Sequence, residues 1–190
     1  ATVIAQSIDW QGGQSGHTPT ETIITTANAD WGGAAIYGFS IERYLGSDPV
    51  NFEFFTTTET LDAQIHPRSL GNLADAGSAL TVGAIGLNSP YSQEPYSSEG
   101  PTNGPGGIAS GGSIKPDMAG FTGVSTSSYS PSLFYGTSAS APHVTGAAAL
   151  ILSANPTFSP EEIKNFLFSN SIDQGTAGDD NIYGTGRLHL

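Results

Sequence analysis

Ser138 is the residue of this sequence whose type and position best suit it for chemistry. It opens the run from Ser138 to Ala154, which is rich in Ala and apolar on nearly every side, and such a run predicts a buried helix. The first N–H groups of a helix lack intrahelical partners, so they stabilise a negative oxygen that develops beside them. A serine there could act as the nucleophile of an acyl transfer; an ordinary helix N-cap serine is the alternative.

The residues around Ser138 suit a close approach by another molecule. Gly136 has no side chain to obstruct a substrate backbone. Pro142 falls in the first turns of the predicted helix, where few backbone hydrogen bonds are lost. His143 lies five residues along the same helix, so its side chain should point away from the serine and serve as a packed structural histidine.

The elements that must position this helix lie in the second part of the chain. Residues 79–85 predict a strand buried on both faces, and residues 86–135 predict a long loop with short extended pieces. The helix should end at Asn155-Pro156. A second helix should begin at Ser159-Pro160-Glu161-Glu162, an N-cap, an N1 proline and a Glu three residues after the cap. The apolar residues that this second helix should pack against the core are Ile163, Phe166 and Leu167. Residues 187–190 could form a last edge strand.

Residues 1–68 have a different pattern, in which short β-branched runs alternate with Gly-rich turns. Tyr37, Phe39 and Ile41 fall on one face at period two. We expect a small antiparallel β-sandwich there, forming a domain separate from residues 69–190. Trp10 and Trp31 are expected in its core or on a strand face.

Composition excludes several classes of function. The formal net charge of −12 repels phosphate backbones and argues against a nucleic-acid partner. The longest mostly apolar run, residues 146–152, is far too short to span a bilayer. The absence of Cys rules out disulfides and thiol chemistry. Asp179, Asp180 and Asn181 could bind Ca²⁺ through their oxygens, although Asp-Asn turns without a metal are common.

Residues 136–150 resemble the nucleophile motif of the subtilisin-like peptidases, G-T-S-x-x-x-P-x-x-x-G, at every fixed position. Three further blocks resemble that family in order and spacing. They are the V-G-A strand at residues 79–84, an S-x-G-P block at 96–102 followed by a K-P-D block at 115–119, and a Y-G-x-G segment at 179–187. Blocks that agree in register are far more specific than any one of them alone.

The resemblance implies an α/β fold in which residues 69–190 are the C-terminal portion of a subtilisin-like parallel-sheet domain and residues 1–68 a β-rich insert. It implies that Ser138 is the acylating nucleophile of a serine endopeptidase, with its own N–H and the Thr137 hydroxyl stabilising the oxyanion. The Lys115-Pro116-Asp117 block would shape the loop beneath the nucleophile. The substrate would be a peptide or protein, and the family implies a secreted or cell-surface location.

The rest of the triad is not found in this sequence. The family's order is Asp, His, Ser, and neither a D-T-G or D-S-G block nor an H-G-T block occurs. We expect the Asp, the His and the oxyanion Asn on an upstream half of the same peptidase. The chain alone should then be inactive, with an unpaired sheet edge that invites a homodimer. Ordinary surface, turn or strand-end roles are expected for His17, His66, His189, Asp9, Asp30 and Asp62.

Two other functions remain open. A sedolisin-like peptidase also uses a G-T-S-x-S-x-P block, and a Ca²⁺ loop at residues 179–181 would suit it. Residues 144–150 and the K-P-D block favour a subtilisin-like enzyme instead. A surface or binding module that retains the fold without activity is the second alternative, and the presence or absence of upstream D-T-G and H-G-T blocks would distinguish it from an enzyme.

Overall fold

The computed structural model describes residues 6–7, 22–23, 38–42, 53–55, 64–71 and 73–190. The chain divides into two compact units, Ala1–Phe52 and Glu53–Leu190. The described pieces of the first unit belong to no helix or strand. Most of the segment predicted as a β-sandwich, residues 1–68, lies outside the described residues, as do Trp10 and Trp31. The β-sandwich and the domain boundary at residue 68 therefore stay predictions. The elements below all belong to the second unit.

A short parallel sheet forms the middle of this unit. Strand β1, Val82–Ile85, pairs in parallel with strand β2, Met118–Phe121, so that Val82 lies opposite Met118 and Ile85 opposite Phe121. Gly83, Ala84 and Ile85 are buried, which confirms the predicted buried strand, although it is shorter than residues 79–85. Strand β2 was not predicted as a strand, because its four residues were assigned to the long loop.

Two helices follow the sheet, as predicted. Helix α1 spans Thr137–Ala154, with Asn155 as its C-cap, and helix α2 spans Pro160–Asn170. Ser159 caps α2: its hydroxyl accepts from the Glu162 N–H, and the Glu162 carboxylate accepts from the Ser159 N–H. This reciprocal arrangement satisfies two helix-end donors at once.

The core lies where the two helices meet the sheet. Its buried residues come from β2, α1, α2 and the end of the chain: Met118, Val144, Ala147, Ile151, Leu167 and Leu188. Ile163 and Leu167 of α2 face this core as predicted, but Phe166 is 38% exposed and Phe168 packs there instead. The prediction for Phe166 was wrong because the packed stripe of α2 continues from Leu167 to Phe168, on the side away from Phe166.

Smaller elements complete the unit. A 3₁₀ turn spans Pro105–Gly107, and strands β3, Val124–Ser125, and β4, Leu133–Phe134, form an antiparallel pair. The edge strand predicted at residues 187–190 is reduced to isolated bridges from Arg187 to Ala119 and Ile172. The Leu188 N–H nevertheless donates to the Ala119 carbonyl, so this segment covers the edge of β2 that faces away from β1.

Candidate active site

Ser138 is the second residue of α1 and is exposed. The N-cap is Gly136, not the serine, so the N-cap interpretation of Ser138 is wrong. The Ser138 hydroxyl has no hydrogen-bond partner within the described part of the chain. It lies on an open cavity of about 380 Å³ whose other lining residues are mostly apolar: Leu73, Ala74, Ala79, Leu80, Thr81, Val82, Thr137 and Ala141. A free, exposed hydroxyl at a helix N-terminus is the geometry that the sequence predicted.

The turn before Ser138 depends on a glycine. Gly136 has φ 104° and ψ 164°, a conformation that is essentially restricted to glycine. Its carbonyl accepts from the N–H groups of Ala139 and Ser140, which begins the helix. The N–H groups of Thr137 and Ser138 are left out of these bonds, so they are the donors at this helix end that an oxyanion could use.

The first turn of α1 lies directly against β2. A Cβ added to Gly120 would stand 2.7 Å from the Ser140 carbonyl oxygen, so only a glycine allows this approach. His143 is anchored nearby, with Nδ1 3.2 Å from the Phe121 carbonyl oxygen. It is exposed rather than packed as predicted, because it lies on the rim of the sheet and not beneath it. Strand β2, which sequence reasoning missed, is thus one of the elements that position helix α1.

The blocks that resemble a peptidase family converge in space. A Cβ on Gly83 of the V-G-A strand would meet Pro116 of the K-P-D block at 3.1 Å and Ser97 of the S-x-G-P block at 3.3 Å. A Cβ on Gly184 of the Y-G-x-G segment would overlap the backbone of Asp117. These glycines are therefore required by close approach between segments far apart in the sequence.

Lys115 and Asp117 form a buried ion pair under this junction. Lys115 is 3% exposed, and its Nζ lies 2.6 Å from Asp117 Oδ2 and 2.8 Å from the Ala79 carbonyl oxygen. The same Oδ2 accepts from the Thr81 N–H at 2.6 Å. The pair fixes the start of β1 to the start of β2, and Ala79 and Thr81 line the cavity beside Ser138.

Among the described residues, the other histidines singled out from the sequence give Ser138 no base. His66 and His189 are exposed, and neither forms a hydrogen bond with a described residue. His17, Asp9, Asp30 and Asp62 lie outside the described residues. In the part of the chain that is described, Ser138 therefore has no histidine partner.

In the acidic loop at residues 179–181, the carboxylate of Asp180 bonds to backbone N–H groups of neighbouring residues. Asp180 Oδ1 accepts from the N–H groups of Ile182 and Tyr183, and Oδ2 accepts from that of Thr176. Both oxygens of the carboxylate thus accept hydrogen bonds from the backbone of the same loop region. Within the described ranges, no group of three or more His, Cys, Asp or Glu side chains could hold a metal ion.

Among the described residues, one edge of β1 is only partly paired beside the cavity. Alternate residues of a parallel strand bond to the same neighbour, and the carbonyls of Thr81 and Ile85 bond to the β2 side. On the opposite edge, Ala84 accepts from the Glu94 N–H, whereas the backbone of Val82 has no partner among the described residues. Helix α1 contains no Asp, Glu, Lys or Arg. It exposes an uncharged face that includes Ala141, Thr145, Gly146, Ala149, Leu150 and Leu152.

Comparison with models of known protein families shows which family this chain belongs to. A model of the subtilase family, the S8 peptidases, matches residues 61–186, more than half of the chain. The chain belongs to the subtilase family. The match covers all of the blocks that converge around the K-P-D junction, and it confirms the resemblance to subtilisin-like peptidases drawn from them.

Individual subtilases match shorter stretches. The chain is 44% identical to an extracellular serine protease of Serratia marcescens over 55 residues. These residues make up 29% of this chain and 5% of that protein. Over 72 residues the chain is 44% identical to subtilisin DY of Bacillus licheniformis, 36% of this chain and 25% of that protein. The first of these relatives is a serine protease by name and the second a subtilisin, and the chain spans at most a quarter of their length.

A solved structure supports the fold. The CspB protease of Clostridium perfringens superposes with a TM-score of 0.51 and 21% identity, over 64% of this chain and 27% of that chain. The parallel pair with its packed helices is therefore an α/β arrangement shared with a protease fold. Within the described residues, no helix is long and apolar enough to cross a membrane.

Proposed function

We propose that this chain carries the nucleophile of a serine endopeptidase, with Ser138 as the residue that is acylated by peptide or protein substrates. The observation that carries the proposal is the exposed, unpartnered Ser138 hydroxyl at the start of α1, beside the cavity of about 380 Å³. The N–H of Ser138 and the hydroxyl of Thr137, which lines the same cavity, would stabilise the oxyanion of the tetrahedral intermediate.

The triad Asp and His, and the oxyanion Asn, are assigned to an upstream half of the same peptidase. Two features support this assignment: the open edge of β1 at Val82 and the uncharged exposed face of α1. A strand added at Val82 would satisfy that backbone and cover the cavity. Residues 1–68 are assigned to a β-rich insert. Secretion is proposed by analogy with the relative named as an extracellular protease.

The 190-residue chain alone should be catalytically inactive, or nearly so. A serine hydroxyl without a base is a weak nucleophile, and loss of the base of a triad lowers kcat by about 10⁶. On its own, the chain is expected to pair its β1 edge with a second copy, forming a dimer.

The test compares two serines of α1 in the full-length protein. Ser138→Ala should abolish labelling by a fluorophosphonate probe and hydrolysis of casein. Ser140→Ala, two positions along and fully buried, should retain both. Labelling that survives Ser138→Ala, or turnover by the isolated chain at the rate of the full-length protein, would contradict the proposal.

A further inference from the structure

The hydroxyl of Tyr96 bridges the end of β2 and the turn that carries the nucleophile. It accepts from the Gly136 N–H at 3.3 Å and lies 3.2 Å from Thr122 Oγ1, to which it donates. Thr122 follows β2 directly, is 1% exposed, and donates its own N–H to the Ile85 carbonyl. A continuous chain of hydrogen bonds therefore joins β1, β2 and the turn two residues before Ser138.

We propose that Tyr96 is a positioning residue, whose hydroxyl holds the Gly136 turn so that Ser138 meets the substrate carbonyl in a fixed orientation. The inference rests on the proposed function of Ser138 and adds a residue to it. Tyr96 acts through Gly136 and not on the substrate, so it is not assigned as a catalytic residue.

The backbone of Gly136 explains why this turn needs a fixed partner. A glycine occupies both positive and negative φ with little steric cost, so it does not hold a single conformation by itself. The φ of 104° at Gly136 sets the direction in which Thr137 and Ser138 leave the turn. The bond to Tyr96 ties its N–H to the rigid end of the sheet. A displacement of about 1 Å at a reacting group can cost on the order of 10² in rate.

The surroundings of Tyr96 separate a positioning role from a packing role. The residue is 48% exposed, and it does not belong to the hydrophobic core. Removal of its hydroxyl should therefore change little in overall stability while it frees the Gly136 N–H. A phenylalanine at position 96 would keep the ring and lose only the two hydrogen bonds.

The experiment compares Tyr96→Phe with Tyr129→Phe in the full-length protein. Tyr129 is similarly exposed, at 49%, and its ring stacks on Phe134, but its hydroxyl bonds to no described residue. We expect Tyr96→Phe to lower kcat about fivefold to tenfold, the loss set by one neutral hydrogen bond. KM and the melting temperature should match those of Tyr129→Phe. Amide exchange of residues 136–138 should become faster in Tyr96→Phe alone.

The outcomes distinguish failure of the positioning role from failure of the proposed function. If Tyr96→Phe leaves both kcat and amide exchange at wild-type values, or lowers kcat only in proportion to a lost melting temperature, the positioning role is overturned. If the wild type shows no labelling that depends on Ser138, the proposed function fails instead. In that case, faster exchange at residues 136–138 in Tyr96→Phe would show that the hydrogen bond exists but serves no catalysis. The positioning role would then be refuted together with the proposed function.

Discussion

Ser138 and Ser140 stand two positions apart in α1 and have opposite surroundings. Ser138 is exposed beside the cavity, whereas Ser140 is 0% exposed and its Oγ has no hydrogen-bond partner. A buried hydroxyl without a partner is destabilising by about 1–3 kcal/mol. Ser140→Ala should therefore raise the free energy of unfolding by about 1 kcal/mol, measured by urea denaturation. Ser153→Ala, an exposed serine of the same helix, should change it by less than about 0.5 kcal/mol, and a Ser140→Ala variant less stable than wild type would contradict the expectation.

The sequence was most informative at the residue scale where a motif carries its own geometry. The Ala-rich apolar run that begins at Ser138 predicted a helix start there, although the N-cap is Gly136 and not the serine. The bridge from Tyr96 to Gly136 has no such signature. The two residues are forty positions apart, and only the path of β2 brings them together.

At the element scale, the buried ion pair and a surface ion pair allow a direct comparison. Lys115→Ala leaves the Asp117 carboxylate, whose side chain is 18% exposed, without its ion-pair partner, and such a break in a mostly buried pair should cost at most about 3–5 kcal/mol. Lys164 lies 3.6 Å from Glu161 on the exposed side of α2, and Lys164→Ala should cost less than about 1 kcal/mol. Denaturant titration of both variants measures the difference. Equal losses would mean that the K-P-D block does not tie β1 to β2.

The capping box of α2 predicts a pH dependence. The Ser159 N–H, and after it the Ser159 hydroxyl, bond to the Glu162 carboxylate and hold the pKa of Glu162 below its usual value. A lowered pKa in the folded state means that the stabilisation is present above the usual glutamate pKa and is lost as the pH falls through the lowered value. Protection of the first-turn amides of α2 against exchange should decline across that window. Glu162→Gln should remove the decline, whereas Glu161→Gln should retain it.

Elements with strong local signals were predicted, and elements defined by pairing were not. The proline after α1 and the Ser-Pro-Glu-Glu start of α2 fixed two helix boundaries to within about one residue. Strand β2 has four residues, one of them glycine, so it shows no alternation. Its conformation comes from β1 on one side and residues 186–188 on the other, a tertiary context that no local pattern contains.

At the scale of the whole molecule, Gly146 reports whether the exposed face of α1 is covered. A Cβ at Gly146 would meet nothing within 4 Å, so in the 190-residue chain Gly146→Ala should stabilise the helix by about 1 kcal/mol. In the full-length protein the proposed upstream half would press on this face, and the added methyl should destabilise it. Thermal denaturation of both forms tests this, with Ala149→Gly as a control for helix propensity. The same sign of change in both forms would speak against a covered face.

The missing triad residues illustrate the limit of sequence reasoning at this scale. The blocks of residues 79–190 indicate a family, but the proposed nucleophile Ser138 would need partners that this sequence does not contain in motif form. The exposed uncharged face of α1, and an edge at Val82 that no described residue pairs with, are features that a pattern of residues does not reveal. They become visible only when α1 and β1 are placed side by side.

Residues 186–188, which pair with β2 near the end of the chain, affect how the protein folds while it is being synthesised. A ribosome releases residues 118–154 before residues 186–188, yet Ala119 bonds to Gly186 and Leu188, and Leu188 completes the core beneath α1. During synthesis the apolar side of α1 therefore stays partly exposed until Leu188 has been translated. Nascent chains that stop short of Gly186 should be cleaved by an added protease at sites that become protected once Leu188 has emerged.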